Sequence, residues 1–274
     1  LGRSILTLNG GSIVNGNGQL TLTVGNSTVT GPGALTVNGT LNWASGTLSG
    51  AGQIFIGSAG VATINGGVTL TTRTFNNTGH VSWNSGNLTA GNGAVINNLS
   101  GGTFDVTFDG RLNVGTAPAT FNNAGEFRKT AGTGIANLIL PFNNSGVVRA
   151  QSGTLSLDDG GTHSGLFSNT AGATVNFGGG SHVLTSAAFV TGTGTMAIGG
   201  NATTLSASGF FDTGVKLNVT AGVATLTASA NALLATLNVA GGVLNFNSSS
   251  AVAVVNVTGG TLGGTSPVSV TGPL

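Results

Sequence analysis

The word Phe-Asn-Asn followed by Gly recurs along the chain, and this recurrence constrains the fold more than any other feature of the sequence. It begins at Phe75, and related words begin at Ile96, Phe121, Phe142 and Phe167, which are 21, 25, 21 and 25 residues apart. Repeats this short cannot bury their own apolar residues, so each must stack on its neighbours. An apolar position followed by turn residues at regular intervals is typical of a solenoid. The chain is therefore predicted to form a β-solenoid.

Equivalent side chains of successive turns lie above one another in a β-solenoid, about 4.8 Å apart, and form a ladder. We predict one structural ladder with these members: Phe55, Phe75, Ile96, Phe121, Phe142, Phe167, Phe189 and Phe211. The Asn residues of the word are predicted to form turns, because Asn tolerates positive φ and its amide can bond nearby backbone or the amide of the next turn. These turn residues are Asn76, Asn77, Asn97, Asn98, Asn122, Asn123, Asn143, Asn144 and Asn169.

The rest of the chain favours the same fold. Short alternating runs, such as those at 5–8 and 20–24, are bounded by Asn and Gly and indicate strands and turns. Words that begin at Leu217, Leu237 and Val255 continue the pattern, and the five Pro residues, at 32, 118, 141, 267 and 273, are expected between strands. No apolar pattern with helical spacing runs for three turns. We predict an all-β fold of about 13 coils of roughly 20 residues, as a single β-solenoid domain over residues 1–274.

A second motif consists of Gly, a strand, a Ser-Gly turn and another strand, and it occurs at 39–48, 79–88 and 146–155. Because Gly takes positive φ without penalty, the Ser-Gly step can turn the corner between two faces of a coil. Trp43 and Trp83 occupy the same motif position, 40 residues apart, and are expected about two coils apart on one face. They are possible ligand contacts that could stack on a sugar, but the favoured interpretation is a structural role, either packed inside the solenoid or in a crystal or fibre contact.

Charged residues make up only 5% of the 274 residues, and the net charge is +1. This argues against a nucleic-acid partner, because affinity for phosphate backbones comes mostly from neutralised charge. The adjacent pair Arg128 and Lys129 is interpreted as solvated surface.

No run approaches 18 apolar residues, so no transmembrane helix is predicted. The absence of Cys fits maturation outside the cell. Since the sequence begins at Leu1 rather than Met, we expect a processed product or a part of something longer.

Two groups of acidic residues are candidate sites of chemistry. Asp105 and Asp109 would lie on one face of a strand, about 13 Å apart, which exceeds the separation of paired glycosidase carboxylates. Asp158 and Asp159 with His163 form the densest ionisable cluster, which is interpreted as a solvated turn rather than a catalytic or calcium site.

The other two His residues, His80 and His182, have no acidic or Cys neighbours at metal-ligand spacing. The sequence therefore predicts no catalytic, cofactor-binding or metal site and no cofactor. The chain is expected not to be an enzyme.

The Phe-Asn-Asn-x-Gly and Gly-Thr-Leu words resemble the repeats of bacterial autotransporter passenger regions and of filamentous-haemagglutinin-like exoproteins. They are also similar to the β-strand repeats of very large bacterial surface proteins. The resemblance implies a right-handed parallel β-helix displayed outside the cell, which acts as a stalk, an adhesin or a fibre subunit. The expected partners of such a protein are glycans or host and cell surfaces. The matching motif is structural, so it carries over no functional residue, and the chain has no recognisable secretion domain.

Two other function classes remain open from the sequence. One is a carbohydrate-binding or polysaccharide-degrading β-helix protein, and an enzyme of this kind would need a groove that holds at least two acids. An ice- or surface-binding solenoid would present Thr-x-Thr at the same position of successive coils, and four such words begin at Thr21, Thr28, Thr69 and Thr225 without constant spacing. For the structural function, we expect the chain to self-associate end to end or to continue into a larger surface protein, because its N-terminal end lacks a charged cap.

Overall fold

The structure is a computed structural model that describes residues 4–23 and 25–272. The predictions that concern Leu1, Val24 and Pro273 lie outside the described residues. Over the described part, the chain is all-β, contains no helix, and forms a β-solenoid of about 13 turns of about 21 residues, which confirms the predicted fold class. The four described Pro residues all lie between strands, as expected.

The chain divides into two compact units. The first consists of Leu1–Gly132 with Ala136–Leu140, and the second of Thr133–Ile135 with Pro141–Leu274.

The strands of the first unit are β1 (Ile5–Thr7), β2 (Ser12–Val14), β3 (Gln19–Leu22), β4 (Thr28–Thr30), β5 (Leu35–Val37), β6 (Thr40–Trp43), β7 (Gly46–Leu48), β8 (Gln53–Ile56), β9 (Val61–Asn65), β10 (Val68–Thr71), β11 (Thr74–Asn77), β12 (His80–Ser85), β13 (Leu88–Gly91), β14 (Val95–Asn98), β15 (Thr103–Val106), β16 (Arg111–Val114), β17 (Thr120–Asn123), β18 (Glu126–Lys129) and most of β19 (Ile135–Leu138). Within this unit, each strand from β1 to β16 pairs in parallel with the third strand that follows it. Three faces result: face A contains β1, β4, β7, β10, β13 and β16, face B contains β2, β5, β8, β11, β14 and β17, and face C contains β3, β6, β9, β12, β15 and β18.

The strands of the second unit are β20 (Phe142–Asn144), β21 (Val147–Ala150), β22 (Thr154–Leu157), β23 (Gly161–His163), β24 (Leu166–Asn169), β25 (Thr174–Phe177), β26 (Ser181–Leu184), β27 (Phe189–Gly192), β28 (Thr195–Ile198), β29 (Thr204–Ala207), β30 (Phe210–Phe211), β31 (Lys216–Val219), β32 (Val223–Leu226), β33 (Asn231–Val239), β34 (Val243–Phe246), β35 (Ser250–Val257), β36 (Thr261–Gly264) and β37 (Val268–Val270). Its face D contains β22, β25, β28 and β31, face E contains β20, β23, β26, β29, β32, β34 and β36, and face F contains β21, β24, β27 and β30. The longer strands β33 and β35 pass from face F to face D without a break.

Alternation of side chains along each strand builds the core. In β12, Val81 and Trp83 point inward and are fully buried, whereas Ser82 between them faces outward. The pattern repeats on each face, because successive Cβ atoms of a strand point to opposite sides of the sheet. The core is thus a set of inward columns, one turn above the next.

The predicted Ser-Gly corners require glycine. Gly46, Gly86 and Gly153 all have positive φ, of 84°, 72° and 58°. At Gly86 an added Cβ would also lie 2.1 Å from the backbone of Gly66, in the preceding turn. Glycine is needed here for its conformation and for the close approach of two backbones.

Candidate functional site

The predicted Phe ladder is present in the first unit on face B. Phe75 pairs with Ile96 and Ile96 with Phe121, and all three side chains are buried. On the other side, Phe75 pairs with Ile54, so Ile54 takes the ladder position that was predicted for Phe55. Phe55 points outward and is 37% exposed. The prediction for Phe55 is wrong because a shift of one residue moves a side chain to the other face of the sheet.

In the second unit, the predicted ladder residues fall on two faces. Phe142 is buried in β20 on face E, whereas Phe167 lies on face F, where Val190 and Phe211 follow it in register. Phe189 is not a member of this column, because it pairs with Phe210 on the outer surface and is 37% exposed. The two rings stack with their centroids 5.1 Å apart. The prediction of a single ladder is therefore wrong for four members: Phe167 and Phe211 belong to a column on face F, and Phe55 and Phe189 lie on the outer surface.

The Asn residues of the first unit form two ladders that run side by side. In the inner ladder, Asn77 Nδ2 donates to Asn98 Oδ1 and Asn98 Nδ2 donates to Asn123 Oδ1, both at 2.8 Å. All three residues are buried, and Asn77 Nδ2 also donates to the carbonyl of Thr103 at 3.0 Å. Each amide thus bonds the next turn or nearby backbone, as the sequence predicted. The prediction that the Asn residues form turns is wrong: all nine lie within strands β11, β14, β17, β20 and β24, and none of them has positive φ.

In the outer ladder each amide donates to the preceding turn, whereas in the inner ladder each amide donates to the following turn. Asn122 Nδ2 donates to Asn97 Oδ1 at 3.0 Å, Asn97 Nδ2 donates to Asn76 Oδ1 at 2.9 Å, and Asn76 Nδ2 donates to Gln53 Oε1 at 3.0 Å. Since the outward position between Thr36 and Asn76 belongs to Phe55, the amide of Asn76 reaches diagonally to Gln53.

In the second unit, the predicted turn residues bond main-chain atoms. Asn144 Nδ2 donates to the carbonyl of Leu166 at 3.3 Å, and Asn169 Nδ2 donates to the carbonyl of Thr195 at 2.8 Å. Asn143 Oδ1 accepts from the main-chain N–H of Thr162 at 3.0 Å. Each of these bonds spans about one turn of the solenoid and ties neighbouring turns together.

Trp43 and Trp83 are core residues and not ligand contacts. They are 1% and 0% exposed, and Ile64 lies between them in one inward column. Each indole Nε1–H donates to a carbonyl at the adjoining corner, that of Gly46 at 3.3 Å and that of Gly86 at 2.9 Å. The favoured structural role is confirmed as packing inside the solenoid, and the alternative of a sugar contact is wrong because the Trp position of the motif points inward.

The structure brings four ionisable residues together on face C. Arg128 donates from Nε to Asp105 Oδ1 at 2.5 Å and from a terminal nitrogen to Asp105 Oδ2 at 2.7 Å. Glu126 lies 3.6 Å from Arg128, and His80 Nε2 lies 3.6 Å from Asp105 Oδ2. The hydrogen bond to Asp105 raises the pKa of Arg128. Both oxygens of Asp105 are thus engaged by one guanidinium, an arrangement that clamps two turns together.

Lys129 is buried, so the prediction that both members of the Arg128 and Lys129 pair are solvated is wrong. Its side chain is fully buried below Val106 in the column that contains Trp83. Its ammonium group donates to Asp109 Oδ1 and to the carbonyl of Ala131, both at 2.8 Å. Asp109 lies beyond the end of β15 at Val106, so it does not share a strand face with Asp105 as predicted.

Arg73 is a second buried cation, at the corner between β10 and β11. Its Nε donates to the carbonyl of Ser49 at 2.7 Å and its Nη2 to the carbonyl of Gly31 at 2.8 Å. Burial lowers its pKa. Its Nη1 has no hydrogen-bond partner among the described residues. The guanidinium joins carbonyls of two earlier turns, so it acts as a clamp inside the wall of the solenoid.

His163 and His182 form a buried pair in the second unit, which contradicts the prediction that His163 belongs to a solvated turn. His182 Nε2 is 2.9 Å from the carbonyl of Gly179, so it carries a proton, and His182 Nδ1 accepts from His163 Nε2 at 3.0 Å. Desolvation lowers the pKa of His163 to about 3 and that of His182 to about 4. Asp158 and Asp159 do lie in a turn, after β22, and Asp159 is exposed.

Face A carries a two-column array of hydroxyl side chains that the sequence did not show as regular. In one column Thr28 pairs with Thr47, Thr47 with Thr69, and Thr69 with Thr89. The other column lies two residues further along the same strands, at Thr30, Ser49 and Thr71. We call this array the threonine face: Thr28, Thr30, Thr47, Ser49, Thr69, Thr71 and Thr89. Its members are half-buried and point outward.

Only two of the four predicted Thr-x-Thr words contribute to this face. Thr21 lies on face C and Thr225 on face E. The word that begins at Thr47 ends in Ser49, and a search for Thr-x-Thr misses it. A search at one-turn spacing for a Thr followed two positions later by Thr, Ser or Gly would have found the array.

Comparison with known proteins yields no match: no family model, no curated protein and no solved structure matches the chain. Within residues 4–23 and 25–272, there is no helix long and apolar enough to cross a bilayer. Over the same residues, no three His, Cys, Asp or Glu side chains are grouped so that they could hold a metal ion.

Proposed function

We propose that this chain is a structural β-solenoid displayed outside a bacterial cell, as a fibre subunit, stalk or adhesin, and that it assembles end to end. The observation that carries the proposal is an open apolar edge at the last described turn. Stacked turns supply one another's core, so a turn that leaves inward residues uncovered provides a surface on which another turn can stack.

Three inward-facing side chains form this edge. Val257 pairs with Val239, Leu262 with Leu244, and Val270 with Val252, and each of these partners is fully buried. At the edge, the same positions are 50%, 37% and 44% exposed. Apolar burial is worth about 25 cal/mol per Å², so covering these side chains favours association.

The first unit has an edge of the same kind at its first strands. Leu6 in β1 pairs with Val29, which is 2% exposed and faces inward, yet Leu6 itself is 44% exposed. Both edges consist of parallel strands with inward apolar residues. The occupant that fits the last turn is therefore another turn of the same kind, paired in parallel, which either a larger surface protein or the first turn of a second copy of this chain would supply.

The experiment compares two Val→Lys variants in the same strand. Val257→Lys places a charge on the open edge, whereas Val254→Lys places it on the outer surface, since Val254 pairs with the outward Thr236. We expect the purified chain to associate with rising concentration in sedimentation velocity, the V257K variant to remain monomeric, and the V254K variant to behave as the parent does. A folded parent chain that stays monomeric at high concentration would contradict end-to-end assembly.

Location is tested separately. Antibodies raised against the purified chain should label the surface of intact cells of the source bacterium in immuno-electron microscopy. Labelling that requires permeabilised cells would contradict display outside the cell, whatever the outcome of the assembly experiment.

A further inference from the structure

The threonine face repeats in two directions. Along each column, the members are one strand spacing apart, about 4.8 Å, and the two columns are two residues apart, about 6.6–6.8 Å. Four consecutive strands, β4, β7, β10 and β13, contribute to it, and all belong to the first unit. A ligand that engages such an array must itself repeat in two dimensions, as the surface of a crystal does.

The side chains of the first column point outward and are half-buried. In the part of the chain that the structure describes, the hydroxyls of Thr28, Thr47, Thr69 and Thr89 make no hydrogen bond to protein. Each hydroxyl can donate one hydrogen bond and accept two. Every Thr also presents a methyl group, so the face alternates hydrogen-bonding and apolar groups at fixed intervals.

The face is rigid before any ligand arrives. The inward residues between the two columns, such as Val29, Leu48 and Leu70, are 2%, 0% and 1% exposed and anchor the strands to the core. Thr side chains are branched at Cβ and therefore stiff at χ1. Little conformational freedom is lost on binding, and weak contacts at many equivalent positions can add up.

The chemistry of the face excludes several crystalline partners. From Thr28 to Thr89 neither column contains a charged side chain, which a mineral surface would require. Neither column contains an aromatic ring, on which the sugar rings of a crystalline polysaccharide would stack. Ice offers a repeating lattice of hydrogen-bond donors and acceptors with no charge.

We propose that the threonine face binds ice. The hydroxyl and methyl groups of its two columns hold water molecules in positions that continue the ice lattice, and the rigid strands keep these positions in register. This activity is distinct from end-to-end assembly, because the two columns lie on β4, β7, β10 and β13 and leave the edge strands β1 and β35 to β37 untouched.

The test measures the gap between the melting and freezing temperatures of a single ice crystal in a solution of the purified chain, together with recrystallisation of ice in frozen sucrose. We expect the chain to hold the freezing temperature below the melting temperature and to shape the crystal into facets. Thr69→Lys should abolish both effects, because a long charged side chain at the centre of the threonine face prevents close contact between the face and the ice surface.

The matched control is Thr63→Lys. Thr63 is also half-buried and outward, in β9 just before β10, but it lies on face C. This variant should keep full activity, and circular dichroism should show that both variants are folded. Thr69→Val, which keeps the shape and removes the hydroxyl, and Thr69→Ser, which removes the methyl group, should each weaken the effect.

Three outcomes would overturn the proposal. The proposal would be rejected if the folded parent chain produced no larger difference between melting and freezing temperatures than buffer alone and did not change the shape of the ice crystal. Equal loss in the Thr63→Lys and Thr69→Lys variants would reject the assignment to face A. Binding to crystalline cellulose or chitin, lost in the Thr69→Lys variant, without any effect on ice, would show that the face recognises a polysaccharide surface instead.

Discussion

The side-chain amide of Asn77 donates a 2.8 Å hydrogen bond to the side-chain oxygen of Asn98, although the two residues are 21 positions apart and both are fully buried. A buried amide without partners would destabilise the fold, so this bond can form only when two turns are in register. A slip of one residue would exchange the inner and outer ladders and move Phe75 to the surface. The inner Asn ladder therefore specifies the register as well as contributing to stability.

Asn98→Ala should destabilise the protein much more than Asn97→Ala, its neighbour in the same strand. Loss of the Asn98 amide removes a donor to the buried Asn123 oxygen and an acceptor for Asn77, at about 1–3 kcal/mol for each buried group left without a bond. The half-buried Asn97 can be replaced by water, so its loss should cost below about 1 kcal/mol. Urea unfolding of the two variants measures the difference, and equal costs would contradict the special role of the inner ladder.

Phe121→Ala and Phe55→Ala form a matched pair that tests the corrected ladder. Phe121 is fully buried below Ile96, so its truncation should lower the free energy of unfolding by about 3–5 kcal/mol. Phe55 faces outward, and its truncation should cost about 1 kcal/mol or less. Thermal and urea unfolding measure both values. A large loss for Phe55→Ala would show that this ring belongs to the core after all.

Much of the fold follows from the sequence because identical words stack on themselves. The regular return of Phe-Asn-Asn predicts the column through Phe75, Ile96 and Phe121, and the Ser-Gly corners are predicted from backbone chemistry alone. What the sequence could not supply is the number of residues at each corner. Phe55 and Phe189 have the expected spacing, but one residue more or less between strands turns a side chain from the core to the surface.

The same uncertainty hid the candidate sites. Asp105 and Arg128 are 23 residues apart and His163 and His182 are 19 apart, so each pair is separated by about one turn. Pairing residues by neighbourhood in the sequence instead grouped Asp105 with Asp109 and His163 with Asp158. In a solenoid the informative distance is one turn, and turns vary in length. For this reason the requirement of a constant spacing missed the threonine face, whose first-column members are 19, 22 and 20 residues apart.

Lys129→Met should cost less than Lys129→Ala. The alkyl stem of Lys129 continues the column of Trp83 and Val106, and Met fills most of that space, whereas Ala leaves a cavity at about 2–5 kcal/mol. Lys216→Ala, at an exposed position, should change stability by about 0.5 kcal/mol or less. Urea unfolding ranks the three variants. If the Met variant were as unstable as the Ala variant, the ammonium bonds at the corner, and not the stem, would be the dominant contribution.

Stability should decrease as the pH falls below about 6.5, because of the buried His163 and His182 pair. In the folded protein their pKa values are lowered to about 3 and about 4, whereas unfolding restores values near 6.5. The unfolded state therefore binds more protons between these limits. The free energy of unfolding is highest above pH 6.5 and falls towards pH 4 by up to about 1.4 kcal/mol per pH unit for each His.

Urea unfolding at several pH values should show this slope. His163→Asn should reduce the slope, and Thr162→Ala, at the exposed neighbouring position, should leave it unchanged. A profile of the parent chain that stays flat between pH 6.5 and 4 would contradict the burial of the pair as neutral imidazoles.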